Sequence, residues 1–85
     1  MNNPNPANKA ANIRFVRVDS SNLESVGYAS TSRQLFVKFH NNLPPLCFAN
    51  VPGFRYEGLL AAPRKDAYFK TFIENQFLAS QVKLP

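Results

Sequence analysis

At 85 residues, 45% of them hydrophobic and 18% charged, the chain has room for one small domain with one small core. Ten Lys and Arg against five Asp and Glu leave a formal charge of +5, which excludes an acidic solvating chain and permits an anionic partner without requiring one. No apolar run approaches the ~20 residues of a membrane span, no signal-like apolar stretch opens the chain, and one cysteine excludes an intrachain disulfide. A cytoplasmic protein with no membrane partner is expected.

Residues 1–12 are Asn, Pro and Ala with one Lys, and they offer nothing to bury; a disordered N-terminal tail is expected there. Ile13–Val18 mixes β-branched and aromatic residues with Arg and reads as a strand, although Ile13, Phe15 and Arg17 share one face and Arg14, Val16 and Val18 the other. Asp19-Ser20-Ser21-Asn22 is a turn of short polar side chains that bond to nearby backbone. A second strand is expected over Glu24–Ser30, with Gly27 marking a bulge or a close backbone approach. After a turn at Thr31–Arg33, Gln34–His40 is the clearest strand: Leu35, Val37 and Phe39 on one face, Gln34, Phe36, Lys38 and His40 on the other. Leu46–Ala49 is the fourth, with Leu46 and Phe48 on the apolar face and Cys47 pointing away.

Beyond Asn50 the period changes. Pro52 suits the first turn of a short helix in which Tyr56, Leu59 and Leu60 recur at helical spacing and Gly58 weakens the propensity. Pro63 opens a second helix to about Ala79, whose face is Phe69, Phe72, Ile73 and Phe77. The expected fold is α+β: an antiparallel β-meander of about four strands followed by two helices packed on one face. It forms a single domain over 13–80, with 81–85 as a short C-terminal tail.

The chain is short of catalytic parts. His40 and Cys47 are the only residues of their kinds, so neither a structural nor a catalytic metal site has its ligands, no cofactor is implied, and a non-enzymatic protein is expected. The two could meet across a hairpin as a nucleophilic pair. Two outward strand residues that merely face each other are the preferred reading. No phosphate-binding glycine loop is present. Binding has more to draw on. With Leu35, Val37 and Phe39 inward, Phe36 faces out beside Lys38, near Arg33 and His40: an exposed ring between cations, on which a base stacks while phosphates are neutralised, with Phe36, Lys38, Arg33 and Tyr28 as the expected contact residues. The alternative places Phe36 under the first strand, the tail or a partner copy. Arg64, Lys65 and Lys70 form a second basic group at the start and one side of the second helix, with Arg55 on the preceding one; an anion is also favoured there by backbone N–H donors, with Asp66 as an offset.

From Ser20-Ser21-Asn22-Leu23 and Val26-Gly27-Tyr28, through Leu35-x-Val37-x-Phe39, Val51-Pro52, Tyr56-x-Gly58-Leu59 and Ala62, to Tyr68-Phe69 and Ile73, the chain resembles the KTSC domain. This is a small bacterial and phage family named for an appendage of some lysyl-tRNA synthetases. The resemblance implies a single α+β domain and, by association with the synthetase, RNA as a partner. The motif residues it carries over are Ser20, Ser21, Asn22, Gly27, Tyr28, Tyr68 and Phe69. The family's Tyr-x-Tyr is here Leu46-Cys47-Phe48, its Asp after Gly-Tyr is Ala29, and its small Ser and Gly are Arg64 and Asp66. A binding module for RNA or single-stranded nucleic acid is the first expectation. The alternative is a protein-interaction module of bacterial or phage origin that binds or inhibits a host protein.

Overall fold

The computed structural model of the chain describes residues 13–41 and 43–81. The tail expected at 1–12, and residues 82–85 of the tail expected at the C-terminus, lie outside the described residues. Five strands pair antiparallel in sequence order: β1 (Val16–Arg17), β2 (Leu23–Ala29), β3 (Gln34–Phe39), β4 (Leu46–Phe48) and β5 (Ala79–Gln81). Between β4 and β5 run α1 (Gly53–Ala61) and α2 (Lys65–Tyr68), and α2 continues directly as a π-helical segment at Phe69–Glu74. The α+β class and the order of meander before helices match the sequence reading; the fifth strand departs from it.

That strand arises because the second helix stops early. Asn75 N–H bonds to Lys70 C=O five residues back, at 3.3 Å, where the start of α2 still has the four-residue bond from Tyr68 to Arg64. The wider turn keeps Ile73 buried with Phe69 but swings Phe72 out of the expected stripe, leaving its side chain exposed. Past Phe77 the chain turns back to the sheet, where Ala49 N–H donates to Leu78 C=O and Cys47 pairs with Ser80. Residues expected as helix end and tail thus supply the backbone partners that β4 would otherwise lack.

The helix-covered face holds the main core: Leu23, Val26, Leu35, Val37, Phe48, Val51, Leu59, Phe69 and Ile73 are buried together, with Val18, Phe39 and Leu46 packed on them. Phe69 is the centrepiece, edge-on to both Phe39 and Phe48 at 5.7 and 5.6 Å. Phe48 is buried in this core and Leu46 packs against it, on the face their alternation assigns. The sheet's other face has its own cluster, Phe36 with Cys47, roofed by Ile13, Phe15 and Ala29. This explains the imperfect alternation of the first strand: Val18 serves one core, and Ile13 and Phe15 the other. Gly27 is the close approach anticipated, since its Cα faces the backbone of Arg14. The register irregularity falls instead between Leu23 and Ser25.

Candidate functional site

The turn before β2 and the first turn of α2 are tied together by one carboxylate. Ser20 Oγ accepts from the N–H groups of Asn22 and Leu23, at 3.2 and 3.0 Å, and donates its own proton to Asp66 Oδ1. Ser21 Oγ donates to Asp66 Oδ2 at 2.6 Å. Short polar side chains form the turn for the reason given above, and the turn then presents both hydroxyls to the same acid. Hydrogen bonds from Ser20 and then Ser21 hold the Asp66 carboxyl below the ordinary carboxylate range.

A group whose folded pKa is depressed contributes stability that is fully present above its unfolded value, near 3.9, and is lost as pH falls through the folded value. Asp66→Asn is therefore expected to lower stability by about 1 kcal/mol at pH 7, a figure discounted for the exposure of the group. The gap from the parent chain should narrow in melts recorded as pH falls below the ordinary carboxylate range. A gap that persists unchanged to pH 2 would show that the carboxylate charge is not what ties the turn.

Beside this tie lies a cleft of about 800 Å³, walled by the Asp19–Leu23 turn, by Phe39, His40 and Asn41 at the end of β3, and by the start of the second helix. Arg64, Lys65 and Lys70 line it together with Asp19, Asp66 and Glu74, so it offers cations, acids and the amides of Asn22 and Asn41. Lys65 Nζ is partly committed, donating to Ala62 C=O at 2.8 Å, whereas Arg64 and Lys70 are exposed. Both oxygens of Asp66 are occupied by serines, which weakens it as an offset to its basic neighbours.

The first expected patch does not assemble. Phe36 is fully buried and edge-on to Phe15, 6.4 Å between centroids, so no base can stack on it. Pleating does put it opposite Leu35 and Val37 as expected, but that second face is roofed rather than open. Lys38, on the same face, pairs with Glu24 at 3.8 Å, and Glu24 also meets Arg17 at 3.9 Å. Arg33 sits in the β2–β3 turn at a positive φ of 58°, at the end of β3 remote from His40. Tyr28 is half-buried: its ring stacks on Tyr56 at 5.1 Å and its hydroxyl donates to Val51 C=O at 2.5 Å. Among the motif residues, Gly27, Tyr28 and Tyr68 pack, Phe69 packs and also lines the cleft, and Ser20, Ser21 and Asn22 line it.

Arg64, Lys65 and Lys70 of the second group do come together, on the helix side of the sheet, where His40 joins them, whereas Arg55 stands apart against Phe54 and Phe72. The nucleophilic pair fails on register. Cys47 faces Phe36 across β3 and β4, four residues short of His40, or ~13 Å along the strand. Cys47 is buried on the far side, and burial pushes its thiol up, against a smaller opposing effect of the Gln34 hydrogen bond. Among the described residues no three His, Cys, Asp or Glu stand close enough to hold a metal ion, and no helix is long and apolar enough to cross a membrane.

The family model that matches this chain is that of the KTSC domain, over residues 19–77. That span runs from the turn preceding β2 to the end of the helical region and so includes the cleft walls. Among solved structures, the fold is similar to that of a KTSC domain protein from Yersinia pestis, with a TM-score of 0.78. The alignment covers 84% of this chain and 99% of that one at 24% identity, which establishes the likeness of fold alone. No curated protein matches.

Proposed function

The chain belongs to the KTSC domain family, and from that premise we propose that it is a small non-enzymatic module binding single-stranded nucleic acid, RNA foremost, at the cleft beside α2. The observation that carries this reading is the convergence of Arg64, Lys65, Lys70 and His40 on one concavity together with the side-chain amides of Asn22 and Asn41. Cations neutralise phosphates, and amides with the acidic groups supply acceptors and donors for the edges of unstacked bases. A net charge of +5 favours the same class of ligand at longer range.

The experiment is fluorescence anisotropy with labelled single-stranded oligonucleotides over a salt series. Phosphate contacts make log K fall linearly with log salt at roughly 0.7 per contact on single strands. Arg64→Gln combined with Lys70→Gln is expected to weaken binding and to flatten that slope by about 1.4. A slope unchanged by the double substitution would remove the cleft from the reading, and no binding at low salt would remove the reading itself.

A second reading, a protein-interaction module, draws support from β5. It is an exposed three-residue strand at the sheet edge, next to Leu78 at 86% exposure, and such an edge accepts an added strand. Stoichiometric recovery of a protein after nuclease treatment, with no oligonucleotide binding, is the outcome that favours it.

A further inference from the structure

With Phe36 buried and the Tyr28 ring covered, Phe54 and Phe72 are the two exposed aromatic rings among the described residues. They are not scattered. The Arg55 guanidinium lies between them, its carbon 5.1 Å from the Phe54 centroid and 4.6 Å from that of Phe72. Phe72 is in turn braced by Tyr68 at 4.8 Å, and the Tyr68 hydroxyl occupies the space that a side chain at position 58 would fill. Gly58 thus lets the two helices approach closely enough to set Arg55 against Phe72.

Two features of this cluster favour an anionic ligand with a flat apolar part. Neither ion pair of the described residues involves Arg55, so its charge is held by ring faces rather than neutralised by a carboxylate. A guanidinium pinned in this way presents a pre-organised fork to an oxyanion. Phe54, 65% exposed at the first turn of α1, keeps most of its ring in water. An apolar ring left in water beside an unneutralised cation is what a nucleobase and its adjoining phosphate cover together.

We propose that Phe54 and Arg55, braced by Phe72, form a second nucleic-acid contact on this chain, Phe54 stacking a base and Arg55 holding the adjoining phosphate. It rests on the nucleic-acid reading above but not on the cleft, which lies on the side of α2 that carries Asp66 and Lys70, whereas Tyr68 and Phe72 face α1.

The test is anisotropy with labelled oligo(U) and oligo(dT) for the parent chain, Phe54→Ala, Phe54→Tyr and Arg55→Gln, with thermal melts alongside and a glutamate-rich peptide as a second probe. Because Phe54 is mostly exposed, Phe54→Ala should melt as the parent does. Stacking is worth ~1–3 kcal/mol per base, so Phe54→Ala is expected to weaken oligonucleotide binding about 5- to 150-fold with the salt slope unchanged. Phe54→Tyr should restore it, and Arg55→Gln should flatten the slope by roughly 0.7. Parent-like affinity in Phe54→Ala, while the cleft double variant loses binding, overturns this inference and spares the cleft. A Phe54→Ala that loses the acidic peptide but keeps the oligonucleotide also overturns it, reassigning the surface to a protein. A parent chain that binds neither oligonucleotide overturns both readings.

Discussion

Phe36→Ala is expected to lose about 3–5 kcal/mol of stability, the cost of deleting a fully buried phenyl ring and leaving a cavity. Domains are stable by only 0.05–0.15 kcal/mol per residue, so a unit of this size holds roughly 3–10 kcal/mol in all. The variant should therefore be largely unfolded near 37 °C, or folded with a strongly depressed melting temperature. Phe36→Leu, which keeps most of the apolar volume, should cost nearer 1 kcal/mol and still fold. The two variants separate packing from binding, because the ring contacts Phe15, Cys47 and Ile13 rather than solvent. A Phe36→Ala chain that melts like the parent yet loses oligonucleotide binding would return the ring to the surface role its strand position first suggests.

Gly27→Ala is expected to cost about 1–3 kcal/mol by overpacking. A Cβ there would stand 2.5 Å from Ile13 Cγ2 and 3.0 Å from the carbonyl oxygen of Arg14. The Ile13 methyl can swing aside, but the Arg14 backbone can yield only if the segment before β1 lifts. Lifting it takes Ile13 and Phe15 off Phe36 and Cys47. The readout is the cysteine: the thiolate is the reactive form, and burial holds the Cys47 thiol above its ordinary value, so labelling of the parent chain should be slow. In Gly27→Ala labelling should quicken as the melting temperature falls. Unchanged labelling with an unchanged melt would show that the segment is not seated against β2 as described.

The strands were legible because their signal is local. Leu35, Val37 and Phe39 alternate on a two-residue period, and any antiparallel pairing must place them on one face. The faces of Phe36 and Cys47 were equally legible, and alternation put both away from the helices. What covers that second face is a different matter. Alternation tells sides apart, not whether a side is wet, and Ile13 and Phe15 reach Phe36 only because β1 lies against β2 in the register Val16 to Val26.

The cleft shows the same division. Its cations Arg64, Lys65 and Lys70 are near neighbours in sequence, so the chain itself groups them. The Ser21–Asp66 bond spans 45 positions and leaves no local pattern. A strict helical period assigns Phe72 to the core, and the five-residue hydrogen bond that rotates it outward has no residue signature of its own.

By itself, then, the sequence determined a single small α+β domain with a cationic surplus, its strand faces, and the poverty of catalytic groups, since each follows from composition or from periods of two and 3.6 residues. Only the tertiary structure decided where that surplus and the aromatics stand. It buried Phe36, paired Lys38 with Glu24, gathered Arg64, Lys65 and Lys70 around a cleft, and left Phe54 exposed beside an Arg55 that no carboxylate among the described residues pairs. The physical reason is that exposure and charge pairing belong to contacts between distant segments, which no local period of the sequence encodes.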